Sequence, residues 1–366
     1  MQIFKNYSLL HANTFGIDQR CDEYVVYGSE NDAVELAHEL RKQGGAPFLL
    51  LGGGSNLLLT KDFHGKVLTP DKRFDISVIM EYGTNVPSLR CWAGTCFDDV
   101  VDYAVRHGYY GLENLSLIPG ECGATAVQNI GAYGVEIKEL LTEIEAVEIA
   151  SGRIVKIDAK DCAYAYRESR FKHEWKDKFI ITYVTYRLSR TFCPKIDYGN
   201  IRQLLKEEGV GESELTASVL RDVIISIRQS KLPDYTVLGN AGSFFMNPIV
   251  DEATFEKLKA NFPDIRYYEA EPSVVSDIPA SVNGENPNGN GVRVKKAYKI
   301  PAGWMIEKCG WKGRTIGRVG VHDRQALILV NKGGATGREV VELMQAIQHD
   351  VKTKFGLEIN PEVNII

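Results

Sequence analysis

Residues 52–56 of this chain read GGGSN, and the LLLT that follows does not start a helix. That context excludes a Rossmann dinucleotide fold, whose glycines must open onto a helix N-terminus that receives the pyrophosphate. A P-loop is excluded too, because no Gly-Lys-Ser/Thr follows. The flanking apolar runs predict a strand, a glycine turn and a second strand over 46–60. Backbone N–H groups in such a turn can form an anion-binding nest. A plain tight turn would carry the same residues.

A second small-residue passage, IPGECGATAVQNIGAYG, spans 118–134 and holds a single charged residue, Glu121. Gly120, Gly123, Ala124, Gly131, Ala132 and Gly134 withhold side chains from a segment whose surroundings are apolar. Glycine lets a backbone approach a ligand closely, and Gln128 and Asn129 offer donors and acceptors to a heterocycle edge. Two such passages, neither followed by a Rossmann helix, point to a large phosphate-bearing cofactor lying between them. A packed glycine corner without a ligand is the other reading.

The 366 residues suffice for two or three domains. A net charge of −5 speaks against a nucleic-acid partner, which calls for a basic excess. Seven cysteines are scattered without CxxC spacing, and no HExxH or HxH pair occurs, so no metal site is expected. No apolar run reaches membrane-spanning length and no charged leader precedes an apolar core, so a cytoplasmic protein is expected.

Helices are predicted over 32–44, 98–111, 215–233, 251–263 and 337–356, from apolar residues at helical spacing and from their end signals. The stretch 140–158 predicts a hairpin turning at Ser151–Gly152, and 178–189, 326–331 and the terminal LEINPEVNII read as strands. The polar passage 264–299, with NGENPNGNG at 283–291, reads as a surface loop insertion. The class is α+β. The expected division is 1–200, itself split near 70, and 201–366, with the C-terminal strand returning to the active site.

Seven segments then occur in a familiar order: LLLGGGSNLLL, LENLSLIPGECGATAVQNIGAYGVE, YAYRESRFK, GNAGSFFMNP, AGWMIEKCGWKG, VHDRQALILVN and NPEV. In this the chain resembles the UDP-N-acetylenolpyruvoylglucosamine reductase family over nearly its whole length, in the subclass with a mobile tyrosine loop. The resemblance implies a vanillyl-alcohol-oxidase-type FAD-binding region of two α/β subdomains and a C-terminal α+β substrate-binding domain. It implies NADPH-dependent reduction of an enolpyruvyl ether to a lactyl ether through FAD, for peptidoglycan precursor synthesis. FAD is expected to be non-covalent, since GGGSN offers no histidine for a tether. Its implied contacts are Gly52, Gly53, Gly54, Ser55 and Asn56 in the first passage. In the second they are Pro119, Gly120, Gly123, Ala124, Gln128, Asn129, Gly131, Ala132 and Tyr133.

Hydride addition to an alkene conjugated with a carboxylate builds enolate charge, which needs a fixed cation and a proton donor. The resemblance implies Ser243 as proton donor, Arg167 as the enolate-stabilising cation and Glu362 as the carboxyl assisting at the same end. For the nucleotide sugar it implies Tyr198, Lys231, Asn247 and Gln325, with Tyr166 close by. The expected partners are therefore a nucleotide sugar and NADPH, with no membrane and no nucleic acid, and a monomer is favoured. Two competing readings are an FAD oxidase of the same fold and a flavin-free binding protein that kept it.

Overall fold

The computed structural model describes residues 1–80, 82–211, 213–274 and 294–366. They form two compact units, Met1–Ala241 with Ile365–Ile366, and Gly242–Asn364.

The first unit begins with a four-stranded sheet built from β1 (Gln2–Ser8), β2 (Arg20–Tyr27), β3 (Phe48–Leu50) and β4 (Phe63–Pro70). The spatial order is β1-β2-β4-β3; β1 pairs antiparallel with β2, and the β2–β4 and β3–β4 pairs are parallel. Helix α1 (Glu30–Lys42) makes the crossover, started by the Ser29 side chain accepting from the Asp32 N–H. Its Ala33, Leu36, Ala37 and Leu40 fall at helical spacing and are all buried. They share a core with Val25 and Leu68 of this sheet and with Trp92, Val147 and Ile180 of the next.

That second sheet contains β5 (Ile76–Met80), β6 (Pro87–Trp92), β7 (Leu141–Glu148), β8 (Arg153–Asp158) and β9 (Phe179–Arg187). Its order is β8-β7-β9-β6-β5, antiparallel throughout. Its core includes Leu89, Cys91, Ile144, Val184 and Tyr186, with Phe97, Val100, Val101 and Ala104 of α2 (Phe97–Arg106) packed in. Two further helices, α4 (Ile201–Glu207) and α5 (Ala217–Lys231), belong to this unit and follow the short α3 (Cys122–Gln128). The last residue joins it as well, its N–H donating to Leu58 O at 3.0 Å.

The second unit holds α6 (Glu252–Asn261), capped by Asp251, and then α7 (Ala302–Lys308) and α8 (Gly337–Phe355). Phe262, Trp304 and Phe355 form an aromatic cluster among these helices. One antiparallel sheet is ordered β10 (Ile249–Asp251), β12 (Val294–Lys299), β11 (Tyr268–Val274). The other runs β13 (Thr315–Ile316), β14 (Val319–Val321), β15 (Leu329–Asn331).

Three expectations change. The passage 264–299 is not loop throughout, because its ends pair as β11 and β12; NGENPNGNG lies outside the described residues. The strand expected over 326–331 is confined to Leu329–Asn331, since the Ile328 N–H closes a turn onto Gln325 O at 3.1 Å. Finally, the glycine-rich passage 118–134 contains α3, which Ala, Thr, Val and Gln sustain despite Gly123.

Candidate active site

The two glycine passages meet. After β3 the chain turns at Gly54, whose φ is +66° and whose absent Cβ would lie 2.1 Å from Ala12 O. Only glycine satisfies both conditions. Ser55 Oγ donates to Pro119 O at 3.3 Å, and a Cβ on Gly120 would lie 3.3 Å from Ser55 Oγ. Gly52 faces Ala124 from across the gap, 3.4 Å between its Cβ position and the alanine methyl. Asp98 steadies the approach: it accepts from the Leu117 N–H at 2.5 Å while holding Arg221 through two bonds of 2.7 and 3.0 Å.

Gly123 has a different cause. A Cβ there would come within 2.9 Å of the Ala93 methyl, so this glycine seats α3 against the chain leaving β6. Asn129 is fully buried with a left-handed φ of +45°. Its Nδ2 donates to Ala165 O at 2.8 Å and Glu136 Oε2 at 2.9 Å, and its Oδ1 accepts from the Lys138 N–H at 3.2 Å. The amide therefore ties three pieces of chain together. Gln128 differs, because its buried Oε1 has no hydrogen-bond partner among the described residues.

Arg167 sits in a tight turn closed by reciprocal Ala165–Glu168 backbone bonds, with φ at +58°. Its Nη2 donates to Gly131 O at 2.9 Å, which attaches it to the glycine passage, and its guanidinium lies 5.7 Å from the Tyr166 ring. Ala132, in a short pair with Val135, is followed by Tyr133 at φ +49°. Asn114 Nδ2 donates to Tyr133 O at 2.9 Å and Lys195 O at 2.7 Å. Tyr198 then lies against Gly134, whose Cβ position is 3.3 Å from the tyrosine Cβ. Lys231, at the end of α5, donates to Asn200 Oδ1 at 3.1 Å, two residues beyond Tyr198.

In the second unit a further group assembles. The Glu362 N–H donates to Phe244 O, and the Phe244 N–H to Leu327 O, both at 2.8 Å. Ser243 is exposed beside the buried pair Phe244 and Phe245. Asn247 Oδ1 accepts from the Ala302 N–H at 2.9 Å, and Gln325 Oε1 lies 3.3 Å from a Cβ placed on Gly303. Asn247 and Gln325 thus each approach the start of α7, with Ser243 and Glu362 on adjoining backbone.

Comparison with known proteins decides the relationship. A UDP-N-acetylenolpyruvoylglucosamine reductase of Bacteroides fragilis is 45% identical over 363 residues, covering 99% of both chains. The chain belongs to the UDP-N-acetylenolpyruvoylglucosamine reductase family. The reductase of Burkholderia multivorans is 41% identical over 99% of this chain and 96% of its own. The reductase family's C-terminal domain matches residues 233–366, and an FAD binding domain matches 22–158. The crystal structure of the Thermus caldophilus reductase superposes with a TM-score of 0.63 at 19% identity, over 100% of this chain and 98% of that one, and shares its fold. The chain is thus an FAD-dependent oxidoreductase with an FAD-binding domain. It uses NADPH to reduce UDP-N-acetylglucosamine enolpyruvate to UDP-N-acetylmuramate in peptidoglycan precursor synthesis. Among the described residues no group of His, Cys, Asp or Glu is arranged to hold a metal, and no helix is long and apolar enough to cross a membrane.

The residues suit a bound flavin nucleotide: Gly52, Gly53 and Gly120 carry no side chain and are only partly buried, and Gln128 Oε1 is buried without a partner among the described residues. Two charged residues here escaped the sequence reading. Arg228 lies one helical turn before Lys231 and faces Tyr133 and Arg167; burial pulls its pKa down, and Tyr133 partly restores it. Its i−3 spacing from Lys231 was the available signal. Glu121 is buried against Gly53, and burial pushes its carboxyl up. Its position as the one charge in an uncharged passage was the available signal.

Proposed function

We propose that FAD lies along the two glycine passages of the first unit, Gly52–Asn56 and Pro119–Tyr133. The observation that carries this reading is the meeting of Ser55 with Pro119 and Gly120. Within the second passage, Gly123 and Asn129 act by positioning: one seats α3, and the other holds the hairpin and the Arg167 turn. In this reading Met1–Ala241 is the FAD-binding region and Gly242–Asn364 the substrate domain.

Bound FAD supplies hydride transfer from NADPH to the terminal carbon of the substrate alkene. The chain's own residues handle charge and protons. Arg167, always charged and fixed in its turn, binds the substrate carboxylate on which enolate charge grows. Ser243 Oγ holds the proton delivered to the neighbouring carbon, and Glu362 acts at the same end as a carboxyl able to share a proton. Tyr166, Tyr198, Lys231, Asn247 and Gln325 bind the nucleotide sugar, with Lys231 countering phosphate charge. A monomer in the cytoplasm fits a pair of soluble substrates.

Anaerobic spectroscopy tests the reading. NADPH should bleach the flavin, and the enolpyruvyl nucleotide sugar should restore its colour with no oxygen present. Restoration that required oxygen would instead identify an oxidase.

A further inference from the structure

Where the two glycine passages meet lies a carboxyl group with no part in the chemistry above. Glu121 is 7% exposed. Its main chain is fixed on both sides, bridged to Cys96 and accepting from the Ala124 N–H at 3.0 Å. Its carboxyl lies over the glycine turn. A Cβ on Gly53 would be 2.7 Å from Oε2 and 2.9 Å from Oε1, and one on Gly52 would be 3.1 Å from Oε2. Oε2 has no hydrogen-bond partner among the described residues.

The surroundings favour a neutral group. Lys72 faces Oε1 at 3.6 Å, but 66% of its side chain is exposed to solvent, which screens the attraction. The other titratable groups facing Glu121 are Tyr24 on β2, Cys96 before α2, the adjacent Cys122 and Tyr235 after α5. Each of these is neutral or negative, so none can offset a carboxylate. Burial pushes the Glu121 carboxyl above its ordinary range, and Lys72 and the Gly53 and Glu121 backbone N–H groups only partly oppose the shift. A charged carboxylate here would repel a diphosphate, whereas a protonated one presents an O–H donor.

We infer that Glu121 is a proton-bearing FAD ligand, a neutral carboxyl donating its O–H to a cofactor oxygen where the glycine passages meet. This rests on FAD lying along those passages. One proton is then bound together with the cofactor. Because the bound cofactor raises the Glu121 pKa above its value in the cofactor-free protein, affinity is full below the cofactor-free value. It falls as pH rises through and beyond that value.

The test is release of FAD from the holoenzyme on dilution, read by flavin fluorescence from about pH 5 to about pH 9. Wild type should lose FAD affinity by about tenfold per pH unit above the Glu121 midpoint. Glu121→Gln keeps a donor without a titrating proton, and its affinity should vary by less than about threefold over the range. Lys72→Met should move the midpoint upward, because losing the cation favours the neutral carboxyl. Lys72 is exposed, so this arm stands even if Glu121→Gln folds poorly. A wild-type slope retained in Glu121→Gln, or a midpoint unmoved or lowered in Lys72→Met, would overturn the inference. Gly120→Val tests the placement separately: FAD should be lost at every pH, and wild-type affinity there would sink the placement itself.

Discussion

The Glu362 N–H donates to Phe244 O at 2.8 Å, which puts the carboxyl-bearing residue near the end of the chain alongside Ser243. Two residues separated by most of the second unit's sequence are thus held on paired backbone. If Glu362 serves the proton step, Glu362→Gln should slow flavin reoxidation by the enolpyruvyl substrate by roughly 10²–10⁴-fold. Flavin reduction by NADPH should stay within a fewfold of wild type. Stopped-flow absorbance separates the two steps, and equal slowing of both would assign Glu362 a structural role.

Asn129 is a keystone for the same chemistry without touching it. Asn129→Ala would take from Ala165 O one of its two donors and from the Lys138 N–H its side-chain acceptor, and should cost about 1–2 kcal/mol of stability. Because Ala165 opens the Arg167 turn, the variant should also raise the KM for the nucleotide sugar. Urea unfolding and steady-state kinetics check the two effects. Unchanged stability would show that these bonds are dispensable.

Helix α8 begins with a reciprocal cap, in which Thr336 Oγ1 accepts from the Glu339 N–H and Glu339 accepts from the Thr336 N–H. Thr336→Ala should cost about 1 kcal/mol. That bond and the Arg318 pair hold the Glu339 carboxyl down at about 2, against an ordinary 4.5. The folded value is depressed, so this contribution is present above about pH 4.5 and disappears as pH falls toward 2. Glu339→Gln should therefore lose stability at neutral pH and show a shallower acid decline than wild type below pH 4.5, measured by thermal unfolding.

Local patterns were legible where one element decides its own form. The 140–158 alternation with Ser151–Gly152 became the β7–β8 hairpin, and apolar spacing over 337–356 became α8. The ordered motifs sufficed for the family and its reaction. What stayed hidden depends on contacts between distant residues. No local pattern shows that Gly123 answers to Ala93, or that Asn114 binds both Tyr133 O and Lys195 O. Nor could composition reveal a helix inside IPGECGATAVQNIGAYG, since glycine opposes a helix unless close packing on a neighbour repays it. The strands β11 and β12 were missed for a related reason: VKKAYK of β12 carries no alternation and Pro272 interrupts YEAEPSV of β11, so the pairing of β12 with β11 and with β10 makes them strands.

The central claim is that Ser243 delivers the proton that completes reduction of the alkene. Anaerobic single-turnover kinetics of Ser243→Ala test it most directly, because flavin absorbance reports both halves of the cycle. Reduction by NADPH at the wild-type rate, followed by reoxidation slowed by several orders of magnitude, is the predicted result. Slowing of both halves to the same extent, or reoxidation at the wild-type rate, would contradict it.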